Sequence, residues 1–525
     1  MPLARTHGVV LSGIDAHLVE VEAHLSQGLP GMSIVGLPDT AVGEARDRVR
    51  AAVLNSGARW PQARITVGLS PASLHKRGSG LDLAIATAIL AADGQLPGDR
   101  LRDVVLYAEL GLDGRARSVR GAVVAAVATA RAGRAQLVVS RADVGQAQIV
   151  PGIRATGVDT LRHWAAILVG GAAEEQPTGT PAEDGVEPPT SAVSGAARSP
   201  DDARCVADMV DVRGQDEAVA ALEIAAVGGH HVSMIGRPGV GKTLLAERLP
   251  TILPDLCDED ALAVTAIRST VGEVTGLVRR PPFQAPHHTA TVAALVGGGR
   301  GGQPTPGAVT LAHAGVLFLD EAAEFGSSSL EALRQPLESG HVQIARAGFT
   351  ARLPARVQLV LAANPCPCGF GDGSGASCTC RSVDRRRYLS RLSGPLMDRV
   401  DIRLQLGAPG AALWRLDRAA ESSAVIRARI VEARERGARR AARLGLPMAL
   451  TGTYAAASLR GPLAPAPEAI SVLGAAVTGG RLSARGADRA IRVAWSLADL
   501  AGVARPGLEQ VGRALTLREG GLDAG

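Results

Sequence analysis

The sequence predicts an α/β protein with a nucleotide-binding core, a helical C-terminal part and a mixed α/β N-terminal domain. A glycine-rich phosphate-binding loop lies between a short apolar run at 231–235 and a helical pattern at 244–249. A second apolar run ends in two acids, Asp320 and Glu321, as expected at the carboxyl edge of a parallel sheet. Further helices are predicted at 215–227 and 328–337, and a further strand at 358–363. From about residue 411 onward, Arg/Ala/Leu-rich helical patterns dominate, including those at 422–444 and 484–501.

The N-terminal part has the alternating patterns of a mixed α/β domain. Strands are predicted at 18–22, 63–69 and 136–140, and helices at 41–56, 81–92 and 121–132. The patterns of this part reveal no active site.

A compositional break follows, at residues 170–203. This segment is rich in Pro, Gly, Ala, Thr, Ser and acids and almost free of large apolar side chains. Such a composition predicts a flexible linker, because it cannot bury enough apolar surface to fold. The predicted domains are therefore 1–169, the linker 170–203, a nucleotide-binding core at 204–410 and a helical lid at 411–525.

The phosphate-binding loop contains one of the two lysines in a chain whose Lys and Arg together number 56. Lys242 lies in the pattern G-x-x-x-x-G-K-T, where a compact ammonium fits beside the β- and γ-phosphates better than a planar guanidinium. The chain is therefore predicted to bind a nucleoside triphosphate. The predicted nucleotide ligands are Gly236, Gly239, Val240, Gly241, Lys242, Thr243 and Leu244.

The second motif supplies the catalytic acids. Asp320 is predicted to hold Mg²⁺ together with the hydroxyl of Thr243. Glu321 is predicted to polarise the attacking water, which favours hydrolysis over passive nucleotide binding.

Four of the six cysteines form two closely spaced Cys-x-Cys pairs: Cys366, Cys368, Cys378 and Cys380. Four thiolates can hold one tetrahedral Zn²⁺, although Cys-x-Cys is tighter than the usual Cys-x₂-Cys spacing and strains the geometry. Free thiols and a redox pair are the alternatives, and the pattern does not decide among the three.

Charge and hydropathy restrict the partners. The net charge of +5 and a pI of about 9.1 permit nucleic-acid binding without demanding it. No apolar run reaches the roughly 18–20 residues that cross a bilayer, and the N-terminus lacks the pattern of a signal peptide. We therefore expect a cytoplasmic protein without a membrane partner.

Beyond these motifs, the chain resembles the ComM/YifB family of magnesium-chelatase-like AAA+ ATPases. The resemblance covers most of the chain and rests on the order and spacing of several short motifs. These are Val212-Arg-Gly-Gln215, Ala285-Pro-His-His-Thr289, Leu311-Ala-His-Ala-Gly315 before the acidic strand, Leu333-Arg-Gln-Pro-Leu-Glu338, Ala363-Asn-Pro-Cys-Pro-Cys-Gly369 and Leu392-Ser-Gly-Pro-Leu-Met-Asp-Arg-Val-Asp401.

The resemblance implies an AAA+ P-loop ATPase core with a C-terminal helical lid, preceded by an α+β Lon-protease-like (S5-like) domain. It implies ATP and Mg²⁺ as bound groups and a homo-hexameric ring. By position, Asn364 resembles sensor 1, Arg399 the arginine finger that reaches a neighbouring subunit's ATP, and Arg485 sensor 2 from the lid.

The family also implies a β-hairpin before sensor 1, here at 341–354, that projects into the ring and touches DNA. Arg346 and Arg352 are its candidate phosphate contacts, and a surface hairpin without a ligand is the alternative. His287 and His288 lack an acid or cysteine at ligand spacing, so we expect a structural or inter-subunit role rather than metal binding.

The Lon-like part of the resemblance lacks the two residues that a Lon peptidase needs for catalysis. Aligned through Lys76 and Gly78, the serine nucleophile falls on Gly80. Aligned through Gly114-Arg115 and Gly121, the partner lysine falls on Val123. A one-residue slip would put Ser79 at the nucleophile position but would not restore the lysine. Without either half of a Ser–Lys dyad the domain is predicted to be proteolytically inactive.

The leading functional expectation is a ComM-like ring ATPase that binds and remodels DNA, a branch-migration helicase of recombination and natural transformation. The alternatives are a chelatase-type or protein-remodelling motor without a DNA substrate, and an ATP-dependent protease, against which the missing dyad argues.

Overall fold

A computed structural model of the chain describes residues 3–36, 40–72, 74, 76, 78–170, 207–272, 274–300, 303–346, 349–371, 378–392, 394–407, 420–447 and 450–520. Two compact units emerge from its contacts. The first combines Met1–Ser194 with Asp258–Val278, and the second combines Gly195–Cys257 with Arg279–Gly525. Apart from Gly170, the predicted linker lies outside the described residues, as does the predicted start of the lid at residue 411.

The strands and helices alternate along most of the chain. The strands are β1 Leu3–Ser12, β2 Asp15–Ser26, β3 Gly31–Val35, β4 Arg64–Ser70, β5 Val104–Tyr107, β6 Glu109–Leu110, β7 Ala116–Arg117, β8 Gln136–Ser140, β9 Arg154–Val158, β10 Val232–Gly236, β11 Phe283–Gln284, β12 Gly297–Arg300, β13 Gln303–Pro306, β14 Val316–Leu319, β15 His341–Arg346, β16 Phe349–Pro354, β17 Gln358–Ala363 and β18 Ile402–Leu406. The helices are α1 Thr40–Asn55, α2 Asp82–Ala92, α3 Ala122–Arg131, α4 Val144–Ala147, α5 Leu161–Val169, α6 Asp216–Gly228, α7 Lys242–Ile252, α8 Asp258–Ser269, α9 Val292–Val296, α10 Ala308–Leu311, α11 Ser327–Ala332, α12 Arg334–Ser339, α13 Ser382–Ser390, α14 Gly394–Met397, α15 Ser423–Arg443, α16 Ala456–Leu459, α17 Pro467–Thr478, α18 Ala484–Ala501 and α19 Leu508–Glu519. No helix of the described residues is both long and apolar enough to cross a membrane.

The first unit is built on a seven-stranded mixed sheet in the order β3-β4-β2-β1-β5-β8-β9. Side chains alternate across it with the period of two that a strand imposes. Val9 of β1 joins a cluster with Tyr107 and residues of α3, whereas the adjacent Val10 joins the cluster that contains α1 and α2. Helices thus cover both faces of the sheet.

Helix α8 belongs to this unit, although it follows the phosphate-binding loop in the chain. Its partly buried Leu262 and Ala266 pack against the cluster that contains Val123, and the Gly121 amide donates to the Ser269 carbonyl at 3.0 Å. A segment from within the ATPase sequence therefore completes the N-terminal unit.

The second unit contains a five-stranded parallel sheet in the order β11-β14-β17-β10-β18. Every residue of β14 and β17 is buried, as expected for strands covered on both faces. The structure thus confirms the predicted α/β class with a parallel sheet. Because parallel strands end at one edge, β10, β14 and β17 bring the phosphate-binding loop, Asp320-Glu321 and Asn364 together.

One helix prediction was wrong in detail. The single helix expected at 328–337 is two short helices, α11 and α12, which meet at Leu333. Pro336 has no amide hydrogen to donate to the carbonyl of Ala332 four residues earlier, so the helical ladder is interrupted there.

The second unit also contains two β-hairpins, β12–β13 and β15–β16. Their packing is close at Gly297, where a Cβ would lie 3.0 Å from the terminal carbon of Ile344. The hairpin predicted at 341–354 is present in register from His341 opposite Pro354 to Arg346 opposite Phe349. The β12–β13 hairpin was not predicted.

Helices α15 to α19 follow the sheet and share its main apolar core. Ile426 and Ile430 of α15 lie with Ala490 and Ala494 of α18 in one buried cluster that also contains residues of β10. The helical C-terminal part predicted from periodicity is therefore present.

Candidate functional site

The ammonium of Lys242 lies at the centre of the site. It donates to the carbonyls of Gly236 at 2.7 Å and Arg237 at 2.9 Å, and to the Asn364 side-chain oxygen at 3.0 Å. Burial lowers the pKa of this lysine, and the charges of Asp320 and Glu321 oppose that shift. A loop that holds a buried cation with backbone carbonyls is ready to exchange those acceptors for phosphate oxygens.

The backbone conformation at Gly241, the last residue of the loop before α7, explains why glycine occurs there. Gly241 has a φ of 95° and precedes α7, so the first amides of that helix turn toward the loop. A left-handed backbone of this kind favours glycine, and amides at a helix N-terminus attract anions. Gly236, Gly239, Val240, Thr243 and Leu244 lie on the same strand-loop-helix segment.

The side-chain oxygens of Thr243, on α7, and of Asp320, after β14, form a candidate magnesium site. The Thr243 hydroxyl donates to Asp320 Oδ2 at 2.8 Å, and the Glu321 amide donates to Asp320 Oδ1 at 2.9 Å. Hydroxyl and carboxylate oxygens are the ligands that Mg²⁺ prefers beside a nucleotide. These residues would hold the ion, which would neutralise phosphate charge when bound.

Glu321 has a contact that sequence reasoning missed. Its Oε2 lies 3.2 Å from His288 Nδ1, and the His288 ring stacks on His287 with centroids 4.1 Å apart. The backbone of Glu321 is left-handed, with a φ of 50°. Sequence spacing gave no sign of this acid, because it is distant in sequence and comes from the neighbouring strand. The structural or inter-subunit role expected for the histidine pair stays a prediction.

Asn364 follows β17 and is held from two sides. Its side chain meets Lys242, and its backbone forms a hydrogen bond with the buried hydroxyl of Tyr388 on α13. Burial raises the pKa of Tyr388 to about 12, and Glu324 adds to that shift. A fixed amide beside the phosphate-binding lysine fits the predicted sensor position.

The four clustered cysteines lie next to this amide. The sulfur of Cys366 is 3.3 Å from that of Cys368 and 3.8 Å from that of Cys378, and Cys368 and Cys378 are 3.6 Å apart. The sulfur of Cys380 completes the group, and all four sulfurs lie within 4.8 Å of one another. A hydrogen bond from the Phe370 backbone and another from Cys366 lower the pKa of the Cys368 thiol to about 6.

The two other predicted arginines lie differently. Arg399 is buried, forms an ion pair with Glu338 and donates to the Pro395 carbonyl. Arg485 at the start of α18 is exposed, and none of the described residues is recorded as its hydrogen-bond or ion-pair partner. The structure thus does not bring Arg485 into contact with the phosphate-binding loop.

Arg489, one turn beyond Arg485, makes the link that sequence reasoning missed. It pairs with the buried Asp401 at 2.6 Å and donates to the Arg399 carbonyl at 2.9 Å. Burial alone would raise the pKa of Asp401, but the His230 ring 3.5 Å away and the charge of Arg489 hold that pKa well below its usual range. Helix α18 is therefore fastened to the turn that carries Arg399.

On the predicted DNA hairpin, Arg352 is exposed, and its guanidinium lies 3.2 Å from His341 Nδ1 across the two strands. Arg346 lies at the end of β15, and its side chain is outside the described residues.

The positions of the peptidase dyad hold neither a hydroxyl nor an amine. A Cβ at Gly80 would lie 2.5 Å from the ring of Tyr107, and Val123 is fully buried in the core. Ser79 instead donates to Glu109, and the ammonium of Lys76 donates to the Pro71 carbonyl.

Three family models match the sequence. The model described as "Magnesium chelatase, subunit ChlI" matches residues 208–412, "Subunit ChlI of Mg-chelatase" matches 21–143, and "Magnesium chelatase, subunit ChlI C-terminal" matches 420–518.

Full-length similarity to bacterial proteins agrees with these matches. An uncharacterized protein of Mycobacterium tuberculosis is 46% identical over 524 residues, 99% of each chain. YifB of Escherichia coli is 41% identical over 439 residues, 83% of this chain and 82% of its own. Competence protein ComM of Haemophilus influenzae is 39% identical over 438 residues, with the same coverage of 83% and 82%.

Proposed function

The chain belongs to the ComM/YifB family of magnesium-chelatase-like AAA+ ATPases, and from this membership we propose that it is a ring-forming motor that hydrolyses ATP to bind and remodel DNA. The observation that carries the proposal is the convergence of Lys242, Asp320 and Asn364 at one sheet edge, in a unit that also bears two packed hairpins. ATP and Mg²⁺ are the bound groups of the family, to which we add Zn²⁺ at the four cysteines.

In the proposed reaction, Lys242 holds the phosphates once its carbonyl acceptors are replaced, and Asn364 orients the water. Glu321 accepts the water proton when it is released from His288. Arg399 would stabilise transition-state charge at the site of the next chain, which requires its release from Glu338. Arg485 would act from the lid only after the lid has moved.

The DNA substrate is supported by the hairpins and by one relative. The relative from Haemophilus influenzae is named competence protein ComM. An exposed arginine on a hairpin can hold phosphate independently of base sequence. We propose Arg352 and Arg346 as such contacts, and the Lon-like first unit as a domain without peptidase activity.

The test is steady-state ATP hydrolysis by the full chain without DNA, with single-stranded DNA and with a branched junction, across a salt series. We expect DNA to raise the rate, the effect to fade with salt, and Glu321→Gln to abolish hydrolysis. Arg352→Ala should reduce the salt dependence of DNA binding by about one phosphate contact. A rate of ATP hydrolysis that neither DNA changes would contradict the proposed DNA motor.

The second candidate is a chelatase-type or protein-remodelling motor, favoured by the magnesium-chelatase description of the three family models. It predicts hydrolysis that no DNA stimulates, so the same experiment separates the two.

The ring has a test of its own. Chains with Lys242→Ala and chains with Arg399→Ala should each be inactive, whereas a mixture should regain activity at about a quarter of the sites, where an intact lysine meets an intact arginine of a neighbour. No recovery in a mixture that mass photometry shows to be co-assembled would place Arg399 outside the neighbour's site.

A further inference from the structure

The four-cysteine cluster has the dimensions of a tetrahedral metal site. Four sulfurs at about 2.3 Å from one Zn²⁺ would be about 3.8 Å apart. Three of the separations, 3.3, 3.6 and 3.8 Å, lie at or slightly below that value, and all four sulfurs lie within 4.8 Å of one another. A disulfide requires sulfurs at about 2.05 Å, so these cysteines are arranged around a point rather than in bonded pairs.

The chain around the cluster reaches the ATP site on two sides. Cys366 follows Asn364 after one proline, and Cys380 precedes α13, whose Tyr388 binds the Asn364 backbone. Gly371 packs between these parts, since a Cβ there would lie 2.9 Å from the Cys366 sulfur and 3.3 Å from Arg385 of α13.

The third contact is with the phosphate-binding loop itself. Gly369 has a φ of 84°, and a Cβ on it would lie 2.6 Å from Pro238. The guanidinium of Arg237 lies 5.9 Å from the centre of the Phe370 ring. The cysteine turn therefore forms one wall of the loop that holds Lys242.

We infer that Cys366, Cys368, Cys378 and Cys380 bind one Zn²⁺, and that this ion is a clamp that holds Asn364 and the phosphate-binding loop in their hydrolytic arrangement. With all four ligand positions taken by thiolates, the zinc would be structural and would supply no chemistry. Its loss would free the turn at 366–371, so that Asn364 and Pro238 would no longer share one support. Zinc binding by the four cysteines does not depend on the proposed function. The control of hydrolysis by that zinc does rest on the proposed function.

Thiolate ligands and a four-sulfur tetrahedron select Zn²⁺ over the harder Mg²⁺, which binds oxygens. The two metals are therefore separable in one experiment: a thiol reagent would remove the clamp metal and leave Mg²⁺ at Asp320 and Thr243.

The first experiment measures zinc in the purified full chain by mass spectrometry of the metal. We expect one zinc per chain in the wild type and in Cys257→Ser, whose cysteine is exposed and outside the cluster. The Cys378→Ser/Cys380→Ser variant should contain none. Wild-type protein without zinc, or zinc retained by the double variant, would overturn the site.

The second experiment needs no variant that might fail to fold. Folded wild type is titrated with a mercurial reagent while released zinc is followed with a chromogenic chelator, and hydrolysis without DNA is assayed in parallel with Cys257→Ser. We expect kcat to fall about 10- to 100-fold in step with zinc release, as for a misplaced catalytic group. Limited proteolysis should gain cleavage near residues 366–390.

Zinc release without loss of hydrolysis or new cleavage would overturn the clamp. Because all assays omit DNA, a failure of DNA stimulation leaves this result intact. A wild type without any hydrolysis would contradict the proposed motor, and the metal content and proteolysis would still decide the zinc site and its effect on the turn.

Discussion

Glu321 combines a left-handed backbone with a carboxylate already engaged by a histidine. Its φ of 50° belongs to a region that few non-glycine residues adopt, so the surrounding structure must hold it there. His288 lies 3.2 Å from one of its oxygens. A carboxylate oxygen that faces an imidazole at this distance is not free to orient a water and accept its proton.

We therefore expect His288→Ala to raise ATP hydrolysis in the absence of DNA several-fold and to reduce the stimulation by DNA. The measurement is kcat with and without single-stranded DNA. The double variant with Glu321→Gln is the control, and it should show no hydrolysis. A fall in the DNA-free kcat of His288→Ala would mean that the histidine orients the base instead of restraining it.

At this scale, sequence reasoning located residues that belong to contiguous motifs. Lys242, Asp320 and Asn364 could be predicted because each follows a recognisable apolar strand, and strand ends meet at one edge. His288 and Arg489 could not, because their partners Glu321 and Asp401 lie on other elements. Contacts of that kind depend on how helices and strands pack, which no spacing encodes.

Gly369 gives a test at the scale of an element, the turn between β17 and α13. Gly369→Ala should raise the KM for ATP about tenfold, because its Cβ would press on Pro238 in addition to straining the backbone. Gly445→Ala is the matched control: its φ is 61°, but nothing lies within 4 Å of the added carbon. Equal KM values in the two variants would show that the contact with the loop is unimportant.

The strand junction at His231 predicts a pH dependence. Burial lowers the pKa of His231 to about 4, although Asp401 opposes this, and the neutral ring accepts a hydrogen bond from the Leu359 amide at 3.1 Å. The unfolded chain, with an ordinary histidine pKa near 6.5, binds the proton more readily, so the folded state loses stability as the pH falls from about 6.5 toward 4.

The check is chemical denaturation of the wild type and His231→Gln between pH 7 and 4. We expect the wild type to lose about 3 kcal/mol more than the variant over that window. Parallel curves for the two proteins would show that this histidine does not titrate on unfolding.

Elements were predicted well where one period ran without interruption, as in α15 and α18, and poorly where it did not. Proline divided the helix expected at 328–337, and the β12–β13 hairpin carries three consecutive glycines, which have no side chains to show a strand period. The Cys-x-Cys spacing suggested strain, yet the four sulfurs lie within 4.8 Å of one another.

At the scale of the whole molecule, the chain leaves the ATPase unit at Cys257 and re-enters it at Arg279, and α8 in between belongs to the first unit. Leu262→Asp should lower the free energy of unfolding of the first unit by about 2 kcal/mol, because it places a charge against that unit's core. Val271→Asp in the same segment is the control, since Val271 is 42% exposed.

Calorimetry with and without nucleotide would separate the transitions, because a bound ligand raises the unfolding temperature of the unit that binds it. We expect Leu262→Asp to lower the transition that nucleotide does not shift. A shift confined to the nucleotide-sensitive transition would place α8 with the ATPase unit instead.

The return of α8 also sets the order in which a nascent chain can become complete. Residues 1–170 leave the ribosome first, but the first unit lacks helix α8 until residues 258–269 have also left it. The phosphate-binding loop precedes α8 in the chain, so it leaves the ribosome before the first unit is complete. The first unit therefore cannot finish folding before synthesis of the second unit has begun. Translation must leave an apolar face of the first unit open while the early strands and helices of the second are being laid down.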